Sequence, residues 1–77
     1  MLLAEKIQFI RDEISELTGE KVYVTLGLSF AEYWIAKAET KEEGMVSVSG
    51  SDPDTALNNL YDKVKEEGIC TPLLKKH

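Results

Sequence analysis

The stretch Ser29-Phe-Ala-Glu-Tyr-Trp-Ile-Ala-Lys-Ala-Glu-Thr-Lys-Glu-Glu-Gly44 decides the fold, because two local rules compete for it. Ser29 and Glu32 stand at the spacing of a helix capping box, and Phe30, Ala31, Trp34, Ile35 and Ala38 would share one face of a helix. Against this, Tyr33, Trp34 and Ile35 are strong strand formers. On that second reading Tyr33–Glu39 is a strand, Thr-Lys-Glu-Glu-Gly is a turn, and Met45–Gly50 is its antiparallel partner. The strand reading is preferred because Val46 and Val48 need a neighbour, and because a two-stranded sheet leaves little for flanking helices to cover.

The segments on either side read more plainly. Lys21–Leu28 alternates in period two, with Val22, Val24, Leu26 and Leu28 on one side, the pattern of a half-buried strand. Between Leu2 and Leu17 the residues Leu3, Ile7, Ile10, Ile14 and Leu17 fall on one stripe of a helix, and Gly19 is placed for a left-handed C-terminal cap. Two heptads are too few for a coiled coil, so the stripe is expected to pack into a core. After Gly50, Ser51-Asp-Pro-Asp54 leads into a helix whose buried stripe is Ala56, Leu57, Leu60, Tyr61 and Val64. Asp52 is the expected N-cap, Pro53 suits the first helical position, and Asp54 falls in the positive first turn. Gly68 is expected as a left-handed cap, with Ile69 closing back on Val64. A glycine-bearing loop at a helix start can cradle phosphate, but Asp52 and Asp54 already hold that terminus and repel an anion. The loop therefore reads as a structural corner.

The expected architecture is a single α+β domain over residues 1–77, its core about 2–69 and its tail 70–77, in the order helix, three-stranded antiparallel sheet, helix (αβββα). A chain of 77 residues has room for one core of modest stability. Hydrophobic residues at 43% and charged residues at 30% are ordinary for a folded domain. One cysteine, Cys70, excludes an internal disulfide framework and multi-cysteine zinc patterns, which fits a reducing compartment. Glu5 and Lys6 interrupt the start where a signal peptide needs an apolar run, and no stretch is long enough to span a membrane. A cytoplasmic location is the expectation.

Fourteen acidic residues against 9 basic ones give a net charge of −5, the wrong sign for a partner bound through phosphates. The sequence also offers no constellation of reactive residues. His77 is the only histidine, at the chain end, and Cys70 has no histidine near it in sequence. Pairs such as Asp12-Glu13, Glu42-Glu43 and Glu66-Glu67 lack a cleft to desolvate them. Asp52 and Asp54 lack the further ligands of a calcium loop. No enzyme activity, cofactor or metal is expected.

What remains is a surface. If Val22, Val24, Leu26, Trp34, Ala36, Val46 and Val48 face the helices, the other sheet face presents Tyr23, Thr25, Tyr33, Ile35, Lys37, Met45 and Ser47. Phe9 stands off the apolar stripe of the first helix among Glu5, Asp12, Glu13 and Glu16. Phe9, Tyr23, Tyr33, Ile35 and Met45 are the candidate protein-binding residues, for an unidentified protein partner or for self-association. Two other uses stay open: base stacking on the sheet aromatics by a nucleic-acid-associated regulator, and mimicry of DNA by the acids of the first helix. A blander alternative places one helix on each face of the sheet.

The element order, the run Trp34-x-Ala36-x-Ala38, and Val-Ser-Val-Ser-Gly-Ser-Asp-Pro-Asp-Thr-Ala-Leu (46–57) together resemble the small αβα-sandwich domains encoded by bacteriophages, over residues 4 to 68. The resemblance implies a fold and a phage or prophage origin, and no catalytic residues, since that family is largely without assigned function. The corner and second helix also resemble HicB-type antitoxins, which begin with a strand where this chain begins with a helix.

Overall fold

The computed structural model describes residues 2–41 and 44–68. The expectations placed on Glu42, Glu43, Ile69, Cys70, the 70–77 tail and His77 lie outside the described residues. The chain runs α1 (Leu3–Thr18), β1 (Val22–Leu28), β2 (Trp34–Thr40), β3 (Met45–Gly50) and α2 (Pro53–Glu67), the expected αβββα order. The three strands form one antiparallel sheet in the order β1-β2-β3.

The contested stretch is a hairpin and a strand. Ser29 to Tyr33 closes on itself: the Glu32 amide donates to the Ser29 carbonyl (3.1 Å) and the Ser29 amide donates to the Tyr33 carbonyl (2.8 Å). Glu32 sits at φ 64°, so a tight turn is followed by a left-handed residue, as in three-residue hairpin loops. The Ser29 hydroxyl that could have capped a helix instead accepts the amides of Ala31 (3.2 Å) and Tyr33 (3.4 Å). Tyr33 is thereby the closing residue of the loop, and β2 begins one residue later than the strand-forming run suggests. At the other end, the Thr40 amide donates to the Gly44 carbonyl (2.9 Å) and the buried Thr40 hydroxyl accepts the Gly44 amide (3.0 Å).

Both helices cover the same sheet face. Across the strands Val24, Ala38 and Val46 are aligned, as are Leu26, Ala36 and Val48, and these rows face the helices. Ile10 and Ile14 of α1 and Ala56, Leu57, Leu60 and Val64 of α2 complete the core. The arrangement with one helix on each face is therefore not adopted. The α1 stripe is buried only at its middle; Leu3 and Leu17 are 41% and 46% exposed.

The caps follow the sequence with one exception. Gly19 adopts φ 76°, ψ 12°, and its amide bonds the Ser15 carbonyl. The Leu2 amide, left free by the helix start, donates to Glu5 Oε1 (3.1 Å). Gly68 has φ 72° but ψ −175°, so it is not the left-handed cap expected; its amide reaches the Val64 carbonyl (2.7 Å) while the chain leaves extended, a conformation reserved for glycine.

Gly50 explains the corner. A Cβ on it would lie 2.5 Å from the Ala56 nitrogen, 2.8 Å from Ala56 Cα and 2.9 Å from the Thr55 carbonyl carbon, all backbone atoms. The first turn of α2 rests on bare strand backbone. Gly50→Ala must push α2 off the sheet, and by the usual scale of overpacking should lower unfolding free energy by about 1–3 kcal/mol in urea denaturation. At the hairpin, Glu32→Gly relieves a left-handed L-residue and should raise stability by roughly 0.5–1 kcal/mol in the same assay.

Candidate functional site

Two features deserve comparison as sites: the corner before α2 and the uncovered sheet face. At the corner, Asp52 Oδ1 accepts the Thr55 amide (2.8 Å) and Oδ2 accepts the Thr55 hydroxyl (3.1 Å). The backbone bond from Thr55, then its side-chain bond, holds the Asp52 carboxyl below the ordinary aspartate range. Asp54 stands in the same first turn, with Lys6 of α1 at 4.0 Å and both side chains reaching solvent. The carboxylate of Asp52 occupies the position an anion would take, so the corner is a helix cap and not a phosphate cradle. Among the described residues no three His, Cys, Asp or Glu side chains gather as a metal site. No helix among them is long and apolar enough to cross a membrane.

The sheet face away from the helices is organised by the strand register. Tyr23, Glu39 and Met45 form one row, Thr25, Lys37 and Ser47 the next, and Gly27, Ile35 and Ser49 a third. Tyr23 is 47% exposed, Tyr33 42% and Met45 53%, while Ile35 is half-buried. A shallow groove of about 420 Å³ runs between Gly27, Ile35, Lys37 and Met45, and a second depression joins Tyr33 to Ile35 and Ser49. Lys37 pairs with Glu39 across 3.6 Å, and Lys21 Nζ lies 5.9 Å above the Tyr23 ring centroid. Charges on this face are thus matched locally, and its relief is made by Tyr, Ile and Met.

Four of the five candidate residues, Tyr23, Tyr33, Ile35 and Met45, are brought together here. Phe9 is not among them. It is 50% exposed on α1, in the helix layer on the far side of the sheet. Two exposed apolar residues escaped the sequence reading. Phe30 is fully exposed at the β1–β2 hairpin tip, and Leu28, on the strand side assigned to the core, is 59% exposed. Phe30 could be seen as a tip residue only once Ser29–Tyr33 was known to be a turn. Leu28 sits at the last pair of the ladder, beyond the reach of the helices.

No protein-family model, curated protein or solved structure matches the chain.

The cap makes a signed prediction. Since the Asp52 carboxyl titrates lower folded than unfolded, its contribution is complete above the unfolded value and disappears as pH falls through the folded one. The melting-temperature gap between the native chain and Asp52→Ala should hold from neutrality to about pH 5 and narrow as pH falls below the ordinary aspartate value of about 4. Inorganic phosphate should leave the native melting temperature unmoved.

Proposed function

We propose that this chain is a small acidic protein-interaction module without enzymatic activity, which binds another protein through the open face of its sheet. The observation that carries the reading is the one-sided packing of the helices. It leaves Tyr23, Tyr33, Ile35 and Met45 in one contiguous field with shallow relief. Aromatic residues and Met are enriched at the cores of protein interfaces, and Tyr23, Tyr33 and Met45 supply them on this face. Its charges, Lys21, Lys37 and Glu39, are too few and too nearly balanced to neutralise a phosphate backbone, and the chain as a whole is at −5. A cytoplasmic setting and a phage-like origin accompany this proposal, supported by the sequence alone.

The face residues are exposed, so their truncation tests binding with little effect on folding. With the native chain as bait, Tyr33→Ala should weaken capture of a protein partner about tenfold, the effect of a hot-spot residue of about 1.4 kcal/mol. Phe9→Ala, on the other layer, should not. Capture should survive raised salt, because an apolar contact is not screened. Salt-sensitive binding of the purified chain to single-stranded DNA would instead establish the base-stacking use. Partner loss on reversing Glu5, Asp12, Glu13 and Glu16 together would establish DNA mimicry.

A further inference from the structure

We propose that β1 is the seam of a symmetric homodimer, pairing antiparallel with β1 of a second copy across a two-fold axis at Thr25. The proposal concerns the sheet edge and stands independently of the function assigned to the open face. In a three-stranded sheet both outer strands have a free edge, and natural proteins protect such edges with charge, proline, bulges or cover. On β3 the Asn59 side-chain amide donates to the Ser49 carbonyl (3.0 Å) and blunts that edge. On β1 only the start, Val22, is covered; Tyr23–Leu28 contains no charged residue and no proline.

The ladder shows which groups are free. The Ser29–Tyr33 closing bond and the β1–β2 register direct the amides and carbonyls of Tyr23, Thr25 and Gly27 to β2. Those of Val24, Leu26 and Leu28 point outward, and among the described residues none of them finds a partner; Val22, of the same parity, is fully buried.

Pairing β1 with its own copy about Thr25 satisfies these groups reciprocally. Val24 then exchanges bonds with the partner's Leu26, and Leu26 with the partner's Val24, giving about four new backbone hydrogen bonds. The pairs between them are Thr25 with Thr25, a favourable cross-strand contact, and Tyr23 with Gly27. That last pair accounts for a residue the single chain leaves unexplained. Glycine weakens a strand, and a Cβ at Gly27 would touch nothing in its own chain. In the dimer the partner's Tyr23 ring lies over it, the arrangement in which an aromatic covers a strand glycine.

Charge does not oppose a second copy. Arg11, Asp12, Ser15 and Lys21 gather beside Val22 and Tyr23 at the start of β1, with Arg11 paired to Asp12 across 3.2 Å. Glu13 lies on the other flank of α1, while Glu5 and Glu16 project from its solvent side near Asp12. The acid at this edge, Asp12, is paired with Arg11, so two copies of a chain of net charge −5 meet here at a locally balanced patch.

Sedimentation of the native chain should give twice the 8.6 kDa chain mass. Thr25 is exposed and its replacement leaves the core alone. Thr25→Lys and Thr25→Glu each set like charges against each other at the axis and should raise the dissociation constant at least roughly fivefold. Mixing the two variants should restore the dimer. Circular dichroism checks that both remain folded. In hydrogen exchange, the Val24 and Leu26 amides should be protected in the native dimer and exposed in Thr25→Lys. A monomeric native chain overturns the proposal. So does a dimer that ignores both Thr25 variants, or one whose Val24 and Leu26 amides exchange freely.

Discussion

The contact between Gly50 and the backbone of Ala56 constrains everything above it. Because Gly50 has no side chain, α2 begins directly on the end of β3, with Asp52 capping its first turn and Pro53 fixing its direction. From that start α2 can only run back over β3 and β2. The central strand makes room for it: Ala36 and Ala38 are fully buried small residues, and the bulk of the core comes from Leu57, Leu60, Val64, Ile10 and Ile14. Small residues on the sheet against large ones on the helices let the layers approach and fill the space between them at interior density. With α2 over β2 and β3, the remaining helix-side surface lies over β1, which α1 takes while also packing on α2. One glycine-mediated approach thus places both helices on one side and leaves the other side of the sheet bare.

Much of this was legible, and the exceptions have physical causes. Alternation in Val22–Leu28 and Met45–Gly50 groups the valines on one face, since a register shift by one residue would turn every valine to solvent, but it leaves open whether the second face is covered too. The second helix was legible from both ends, apart from Gly68, where a positive φ is foreseeable but ψ depends on where the chain goes next. The Ser29–Glu32 segment was harder because a serine hydroxyl that accepts two nearby amides serves equally at a helix start or in a turn. What distinguishes them here is the left-handed Glu32, and glutamate gives no hint of that conformation. Phe30 and Leu28 were hidden for the same reason: their exposure follows from where a turn falls and where helices stop, not from their own neighbours in sequence.

The candidate surface was visible as a list of side chains, but its unity was not. Period two put Tyr23, Ile35 and Met45 on the same side of their respective strands; only the register shows that Tyr23 and Met45 flank Glu39 in one row and that Ile35 stands between Gly27 and Ser49. Phe9 shows the converse. Its exposure follows from the helical wheel, yet the layer arrangement sets it across the molecule from the sheet aromatics.

Charge is distributed along the same division. On the open face Lys37 answers Glu39 and Lys21 lies over Tyr23, whereas α1 carries Glu5, Asp12, Glu13 and Glu16 and α2 carries Asp54, Asp62, Glu66 and Glu67. The acidity of the chain is therefore concentrated in the helix layer. Exposed like charges repel over about 10 Å at 0.1 M salt, so two surfaces that meet in water are best drawn from the side that lacks them. The sheet is that side, both across its open face and along β1. The proposed pairing of β1 would leave this distribution intact: two open faces would join into one six-stranded platform, and the acidic helices would remain together on the reverse. The residues that would bind a partner and the residues that would join two copies share a side without competing, because the first use side chains above the sheet and the second uses backbone groups at its rim.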